Sequence, residues 1–318
     1  MKWLVTGGFG YIGSHLAMEL AMNTEDEVFI VDDLSGGSLN RNLLGLSYKI
    51  ADISDMDSMD HLFKEHRFDG VFHLAAKKSV EESMTNPELY YLNNVGGTKT
   101  LLEVATKYKI SYFIFASTCA VYGDTPTSKK GIKENHTLSP SNHYGETKKL
   151  AEDLIEKYSA NFETAIFRFF NVIGAADPRL VDIESGSLLA NLVKSVSTGE
   201  KFEIYGKDFL TYDGTAIRDY VDVRDIATAL RTAAETMQNK QLKSRVYNLG
   251  NNQGVSVLEF VTAFYRILGT QPEIYYSARR AGDVESIFAD SSQMEFELGF
   301  RCKYPIEQSI ESSLSSKF

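Results

Sequence analysis

The stretch KWLVTGGFGYIGSHL, residues 2–16, decides the fold. Its first five residues are mostly apolar and suit a buried strand. A glycine-rich turn follows, and the residues after it take up helical spacing. Gly7, Gly10 and Gly13 stand where a strand-to-helix turn excludes a Cβ for three separate reasons. These are a tight turn, close approach of backbone to a pyrophosphate, and packing of the helix on its strand. A plain strand-to-helix connection also uses glycines, so the reading depends on what surrounds the turn.

The next apolar run, EVFIVD, closes on Asp32, 19 residues after Gly13. A carboxylate there meets the ribose hydroxyls of NAD and repels the 2′-phosphate of NADP. No Arg adjoins it in the sequence, so NAD is the expected cofactor, with Asp33 the poorer partner. Asp52 in ADIS ends the third run, where it suits either the adenine amino group or the cap of a following helix. Tyr11 and Ile12 between the glycines, and Ile53 after Asp52, complete the expected cofactor-binding set in this half of the turn region.

Further out, YKIAD, DGVFHLAA, YFIFAS and TAIFRF alternate with segments of helix length. That alternation predicts an α/β fold, a doubly wound parallel sheet of Rossmann type. Segments 89–109 and 144–159 carry apolar residues at helical spacing, and 225–237 is helix-like before the strand-like RVYNL. After Asn171 the pattern turns irregular. We therefore expect residues 1–171 plus 214–251 to form the dinucleotide-binding domain, and 172–213 plus 252–318 a second, smaller substrate-binding lobe.

A chain of 318 residues with 43% hydrophobic content can bury a large core. Its net charge of −10, without long blocks of one sign, argues against nucleic-acid and anionic-membrane surfaces. Cys119 and Cys302 are too few and too far apart for a disulfide framework or a zinc cluster, and suit a reducing, cytoplasmic setting. No apolar run approaches the roughly 18 residues of a spanning helix. His15, His73 and His143 lack a third partner at metal-ligand spacing, so no metal is expected and packing or capping roles are.

SNHYGETKKL places Tyr144 and Lys148 four residues apart, on one helical face, where an ammonium can sit beside a phenol. A tyrosine of ordinary pKa, about 10, is a poor base at neutral pH. Lys148 and an oxidised nicotinamide are the expected sources of positive charge that lower it. Thr118, at the end of YFIFAS, is placed to hydrogen-bond the same substrate oxygen and pass its proton.

TGGFGYIGSH, STCAVYG and YGETK together resemble the extended short-chain dehydrogenase/reductase family. The later stretches RFFNVIGA, FEIYGKDFLTYDGTAIRDYVDV, VYNLGN and ARRAGDVESIFAD resemble its UDP-sugar 4-epimerase branch, so the likeness runs from residue 2 to about residue 300. The resemblance implies a catalytic set of Thr118, Tyr144 and Lys148, with Lys148 also on the nicotinamide ribose. Lys78 and Asn94 resemble further cofactor contacts. Asn171, Tyr205, Arg218, Arg280 and Asp283 match positions that hold the nucleotide-sugar, and two guanidinium forks suit a diphosphate. Ile287 falls where the family lines the far wall of the sugar pocket. Its alternative reading is an ordinary apolar core residue.

There are departures from the family pattern. Phe169 replaces a frequent Tyr near the nicotinamide, and Ser187 and Leu188 replace frequent asparagines near the diphosphate. In related dehydratases and decarboxylases an acid follows the catalytic hydroxyl, whereas here Cys119 and Ala120 do. The resemblance therefore implies C4 epimerisation of a UDP-hexose, UDP-glucose/UDP-galactose and also the N-acetylated pair, by tightly bound NAD. Other nucleotide-sugar oxidoreductase, dehydratase or decarboxylase chemistry, and a catalytically silent NAD-binding regulator, are the alternatives. It also implies a homodimer built on segments 89–109 and 144–159.

Overall fold

The computed structural model describes all residues except 125–129, 183–185, 241, 243–244, 281 and 315–318. The last four of these, and residues 183–185, belong to the expected second lobe and lie outside the described residues, as does Ala281 of ARRAGDV. Each apolar run of the first half becomes a strand: β1 (Lys2–Thr6), β2 (Glu27–Asp32), β3 (Ser47–Ile50), β4 (Gly70–His73), β5 (Tyr112–Thr118) and β6 (Glu163–Phe169). Short strands β7 (Asn171–Ile173), β8 (Phe202–Tyr205), β9 (Ile217–Arg218) and β10 (Tyr220–Asp222) precede β11 (Val246–Leu249). After it come β12 (Val255–Ser256), β13 (Ile274–Ser277) and β14 (Ser286–Ile287).

Seven strands form one sheet in the order β11-β6-β5-β4-β1-β2-β3, every neighbour parallel. The chain order reverses between β1 and β4, and that switch opens a crevice at the carboxyl ends of the strands. This is the expected doubly wound sheet.

Alternate residues of each strand feed opposite layers, as the two-residue period requires. Trp3 and Val5 of β1 join Leu16 and Leu20 of α1 (Tyr11–Asn23) in one buried cluster. Leu4 faces the other way, with Met59 and Leu62 of α2 (Met56–His66). Next in the chain come α3 (Val80–Thr85), α4 (Pro87–Tyr90), a π-helical turn at Tyr91–Gly96 and α5 (Gly97–Tyr108). The expected helix 89–109 is thus an almost continuous rod with one wide turn in it. The expected helix 144–159 is α6 (His143–Tyr158).

The remaining helices are α7 (Leu188–Thr198), α8 (Val223–Gln238), α9 (Val257–Ile267), α10 (Ser292–Leu298) and α11 (Ile306–Leu314). Leu192, Phe202, Ile204, Phe260, Phe264 and Ile310 build a separate apolar cluster away from the sheet. Met294 and Leu298 of α10, with Phe300, pack instead in the sheet's own cluster beside Ile226 and Leu230 of α8. Late segments of the chain therefore return to the main core. Ser187, one of the departures noted above, caps α7 by accepting from the Ala190 N–H at 3.2 Å.

Candidate active site

The three glycines occupy three different environments. Gly7 has φ +68°, and a Cβ there would stand 2.7 Å from the Ala75 nitrogen. A Cβ on Gly13 would fall 2.0 Å from the Gly7 carbonyl oxygen, so α1 sits on its strand only because no side chain intervenes. Gly10 differs: a Cβ would meet the Gly7 oxygen at 3.1 Å and no other atom within 4 Å. The space in front of Gly10, at the N-terminus of α1, is what a pyrophosphate needs. Gly10 caps the helix without a side-chain bond, and no acidic residue stands in the first turn to compete for an anion.

Asp32 ends β2 with its carboxylate fixed by the Phe9 and Leu34 N–H groups at 2.9 Å each. Burial raises its pKa, with those two bonds opposing. A Cβ on Gly37 would stand 2.7 Å from Asp32 Oδ1, so the loop after β2 clears the carboxylate by lacking one. An open cradle at a helix N-terminus and a fixed, cleared carboxylate fit a dinucleotide with a free ribose. Arg41 comes nearer than the sequence suggested. Its guanidinium donates to the Phe9 and Val181 carbonyls, both at 3.4 Å, and its charge is felt at Asp32.

The Asp52 expectation needs correction on two points. The third strand ends at Ile50, and the cap of α2 is Asp55, whose carboxylate accepts from Asp57 and Ser58 N–H groups. Asp52 is exposed and accepts from Ser54 N–H at 2.8 Å, while Ile53 is buried against Gly97 of α5. Tyr11 donates to the Gly174 carbonyl at 2.5 Å, and Ile12 packs beside the sheet cluster. Lys78 pairs with Asp182 at 3.1 Å. Asn94, buried in the π-helical turn, spends its amide on Lys77 backbone (2.8 and 3.0 Å) and on Thr147 Oγ1 at 3.1 Å. It therefore braces the loop after β4 against α6.

Tyr144 and Lys148 do share a face of α6, turned toward the end of β5. The Thr118 hydroxyl lies near the Tyr144 phenol, close enough to oppose the rise of its pKa, and accepts from Ala120 N–H at 3.2 Å. Lys148 is 4% exposed and donates to the Ala116 carbonyl at 2.7 Å, with its ammonium 4.6 Å from the centre of the Phe115 ring. Burial pulls the lysine down to about 7, with the Glu152 carboxylate opposing. Burial pushes the Tyr144 phenol up to about 12, with the nearby Thr118 hydroxyl opposing. The direction is opposite to that of a ready base, so the protein alone leaves the phenol protonated. A positive charge added beside it is what would release the proton, and that is the charge an oxidised nicotinamide carries.

Arg218, whose charge reaches Cys119, donates to the Ile217 carbonyl at 2.8 Å and reaches Asp283 at 3.5 Å. Arg280 lies 3.8 Å above the Tyr205 ring, whose hydroxyl is engaged by Glu203 at 2.7 Å. Asn171, exposed at the start of β7, continues directly from β6. Ile287 is 5% exposed and packs with Val121, Tyr122, Ile132, Phe170 and Ala289, with Cys119 at the edge of the group. Phe169 lies opposite Thr118 in register. Burial pushes the Cys119 thiol up to about 12, which makes it a packed, unreactive neighbour of Thr118.

The histidines are structural. His73 lies between the Thr6 and Thr98 hydroxyls (2.8 and 2.9 Å), His15 accepts from Ala176 N–H at 3.1 Å, and His143 contacts Glu146 and Tyr91. Two residues at the site were not foreseen. Glu152, one turn beyond Lys148, and Arg168, on β6, form a buried ion pair at 2.6 Å against Ser117, the residue before Thr118. The only signal in the sequence is the four-residue step from Tyr144 through Lys148 to Glu152.

The family model for the NAD dependent epimerase/dehydratase family matches residues 3–250. The UDP-glucose 4-epimerase of Bacillus subtilis (strain 168) is 37% identical, covering 98% of this chain and 96% of its own length. Among solved structures, a UDP-glucose-4-epimerase from Stenotrophomonas maltophila with bound NAD and formylated UDP-arabinopyranose superposes with a TM-score of 0.92. It is 31% identical, over 99% of this chain and 97% of that one. The UDP-glucose 4-epimerase from Bifidobacterium longum, in complex with NAD+ and UDP, gives a TM-score of 0.90 at 30% identity, over 100% and 98% of the two chains.

Proposed function

Because the chain belongs to the NAD dependent epimerase/dehydratase family, we propose that it inverts the C4 configuration of a UDP-hexose with tightly bound NAD. The cofactor's pyrophosphate would rest at Gly7, Gly10, Tyr11, Ile12 and Gly13, its adenosine ribose on Asp32, and its adenine beside Asp52 and Ile53. Lys78, Asn94, Tyr144 and Lys148 would border the rest. When bound, NAD supplies an acceptor for the C4 hydride and returns it. Tyr144 takes the proton from the sugar O4, Thr118 shares that oxygen and relays the proton, and Lys148 keeps the phenol's charge balanced. Asn171, Tyr205, Arg218, Arg280 and Asp283 hold the nucleotide diphosphate, and Ile287 borders the sugar.

The observation that carries this reading is the gathering of Tyr144 and the buried Lys148 on one face of α6 at the end of β5, where Thr118 is followed by Cys119 and Ala120, with no acid at either place. A 4-keto sugar formed there meets no carboxylate to drive elimination or loss of carbon dioxide. Its way out is reduction on the other face after the sugar turns about its diphosphate. A silent regulator would have no use for the buried lysine and hydroxyl pair, which are both in place.

The protein's substrates are then UDP-glucose and UDP-galactose, with turnover of the N-acetylated pair. The two free cysteines and the lack, among the described residues, of a helix long and apolar enough to cross a membrane accord with work in the cytoplasm. The two-lobe division given above, with α10 and Phe300 packed in the main core instead, belongs to the same proposal. NMR of a UDP-sugar panel incubated with the purified protein tests it: interconversion at C4 without net oxidation is expected. A 4-keto-6-deoxy or decarboxylated product would overturn it.

A further inference from the structure

Arg168 and Glu152 form a fully buried, doubly bonded pair at a place where apolar residues would have packed at least as well. Their side chains are 5% and 7% exposed. Arg168 Nε donates to Glu152 Oε1 at 3.0 Å and Nη2 to Oε2 at 2.6 Å. Buried pairs of this kind contribute little net stability, because desolvation offsets the attraction. Their retention needs another reason, and the neighbours provide one. Ser117, beside Thr118 on β5, donates its hydroxyl to Glu152 Oε1 at 2.5 Å. Ser117 and Arg168 are register partners on β5 and β6, so the pair ties both strands to α6 at the level of the hydroxyl pair. Arg168 Nη1 also donates to the Tyr122 hydroxyl and the Glu134 carbonyl, each at 2.9 Å, and Tyr122 donates to Asn248 Oδ1 at 2.7 Å.

Lys148 stands one helical turn before Glu152 with its ammonium buried. The groups that face it are few. From β5 come the Ala116 carbonyl and the Phe115 ring. From β4 comes His73, kept neutral by burial between two threonine hydroxyls. From α6 itself comes Glu152, with Tyr144 one turn earlier on the same face. Glu152 is the one carboxylate among the described residues whose charge supports the ammonium, in the direction that keeps it protonated.

We propose that Glu152, clamped by Arg168, is a positioning residue of the active site: it supplies the counter-charge for Lys148 and fixes β5 behind Thr118 through Ser117. Arg168 holds the carboxylate in one orientation, and the bond to Ser117 couples that orientation to the strand carrying the hydroxyl. The proposal rests on the epimerase reading for the role of Lys148, but not for its charge.

The test compares wild type with Glu152→Gln, in which the amide oxygen still accepts from Ser117 while the charge is gone. Lysine labelled with 13C at Cε reports the titration of Lys148 in the purified holoenzyme, assigned by Lys148→Arg. Glu152→Gln should lower the Lys148 midpoint by about one pH unit, the size expected on losing a near opposite charge. The alkaline limb of kcat on UDP-glucose should move down with it, KM being unchanged. An unmoved midpoint, or a rate loss uniform across pH, overturns the proposal.

If Glu152→Gln does not fold, the pair Glu152→Met with Arg168→Leu removes both charges without stranding one. It should fold and show a downward shift, and a wild-type midpoint there also overturns the idea. Should the wild type itself fail to epimerise any UDP-sugar, the functional reading falls, while the Lys148 titration still judges the counter-charge.

Discussion

At the scale of residues, the site turns on one phenol that the protein makes less acidic. Burial holds Tyr144 up at about 12, so its proton leaves only when charge arrives beside it. Base strength is thereby tied to the oxidised cofactor. Tyr144→Phe should fold, keep NAD and lose nearly all turnover. More than about a tenth of the rate remaining, under 1.4 kcal/mol of barrier, would contradict a proton-transfer role. Ile287 tests sugar choice. It is 5% exposed within an apolar group that reaches Cys119, so in the proposed site a side chain larger than isoleucine would push toward the sugar. Ile287→Tyr should suppress the N-acetylated reaction selectively, since overfilling a packed site costs typically about 1–3 kcal/mol, roughly 5- to 150-fold in rate. Equal loss on both sugar pairs, measured by NMR, would make Ile287 a core residue and no gate.

At the scale of elements, the glycines of the first turn separate folding from cofactor binding. A Cβ on Gly13 collides with the Gly7 carbonyl, which is backbone and cannot swing away. Gly13→Ala should therefore lower both the melting temperature and the NAD released on denaturation. Gly10→Ala meets protein at 3.1 Å only, so it should melt near wild type and still come through purification with little NAD. Equal NAD content in Gly10→Ala and wild type would show that the cradle lies elsewhere. His73 gives a pH test of how β4 joins β1 and α5. Burial, helped by the Lys148 charge, lowers it to about 3. The unfolded chain then binds the proton first, so this contribution to stability is complete above about pH 6.5 and drains as pH falls toward the folded value. Relative to His73→Gln, wild type should lose roughly 3 kcal/mol between pH 7 and pH 4. Asp219 and Asp225, which burial pushes up to about 6, act in the opposite sense but equally in both proteins. A pH-independent difference in urea melts would mean that His73 is not buried neutral.

At the scale of the whole molecule, what the sequence made legible was whatever local pattern dictates. Strand periodicity marked all seven strands of the sheet, and backbone-excluded side chains marked Gly7 and Gly13. What it hid depends on register and long-range packing. The Glu152–Arg168 pair exists because β5 and β6 align Ser117 with Arg168, and the return of α10 to the main core is a contact between residues far apart in the chain. The end of the third strand and the cap of α2 were beyond local pattern, because β3 stops at Ile50 and the cap falls to Asp55. The proposed homodimer is a property of the same scale. The rod formed by α4, the π-helical turn and α5 leaves Leu89 and Leu92 40% and 71% exposed, with Met84 at 52% just before it. The wide turn aims Asn94 inward at Lys77 and Thr147 while Leu92 faces solvent, so one segment both braces α6 and offers an apolar surface. Two such rods with their α6 neighbours, related by a two-fold axis, would bury that surface against itself. Light scattering should then give twice the 35.6 kDa of the chain. Leu89→Glu with Leu92→Glu, which places like charges across the axis, should give a monomer. Because Asn94 sits on the same turn, that monomer should also turn over more slowly, with its NAD retained. A wild-type monomer at working concentration would remove the dimer, and a fully active monomeric variant would remove the link between interface and site.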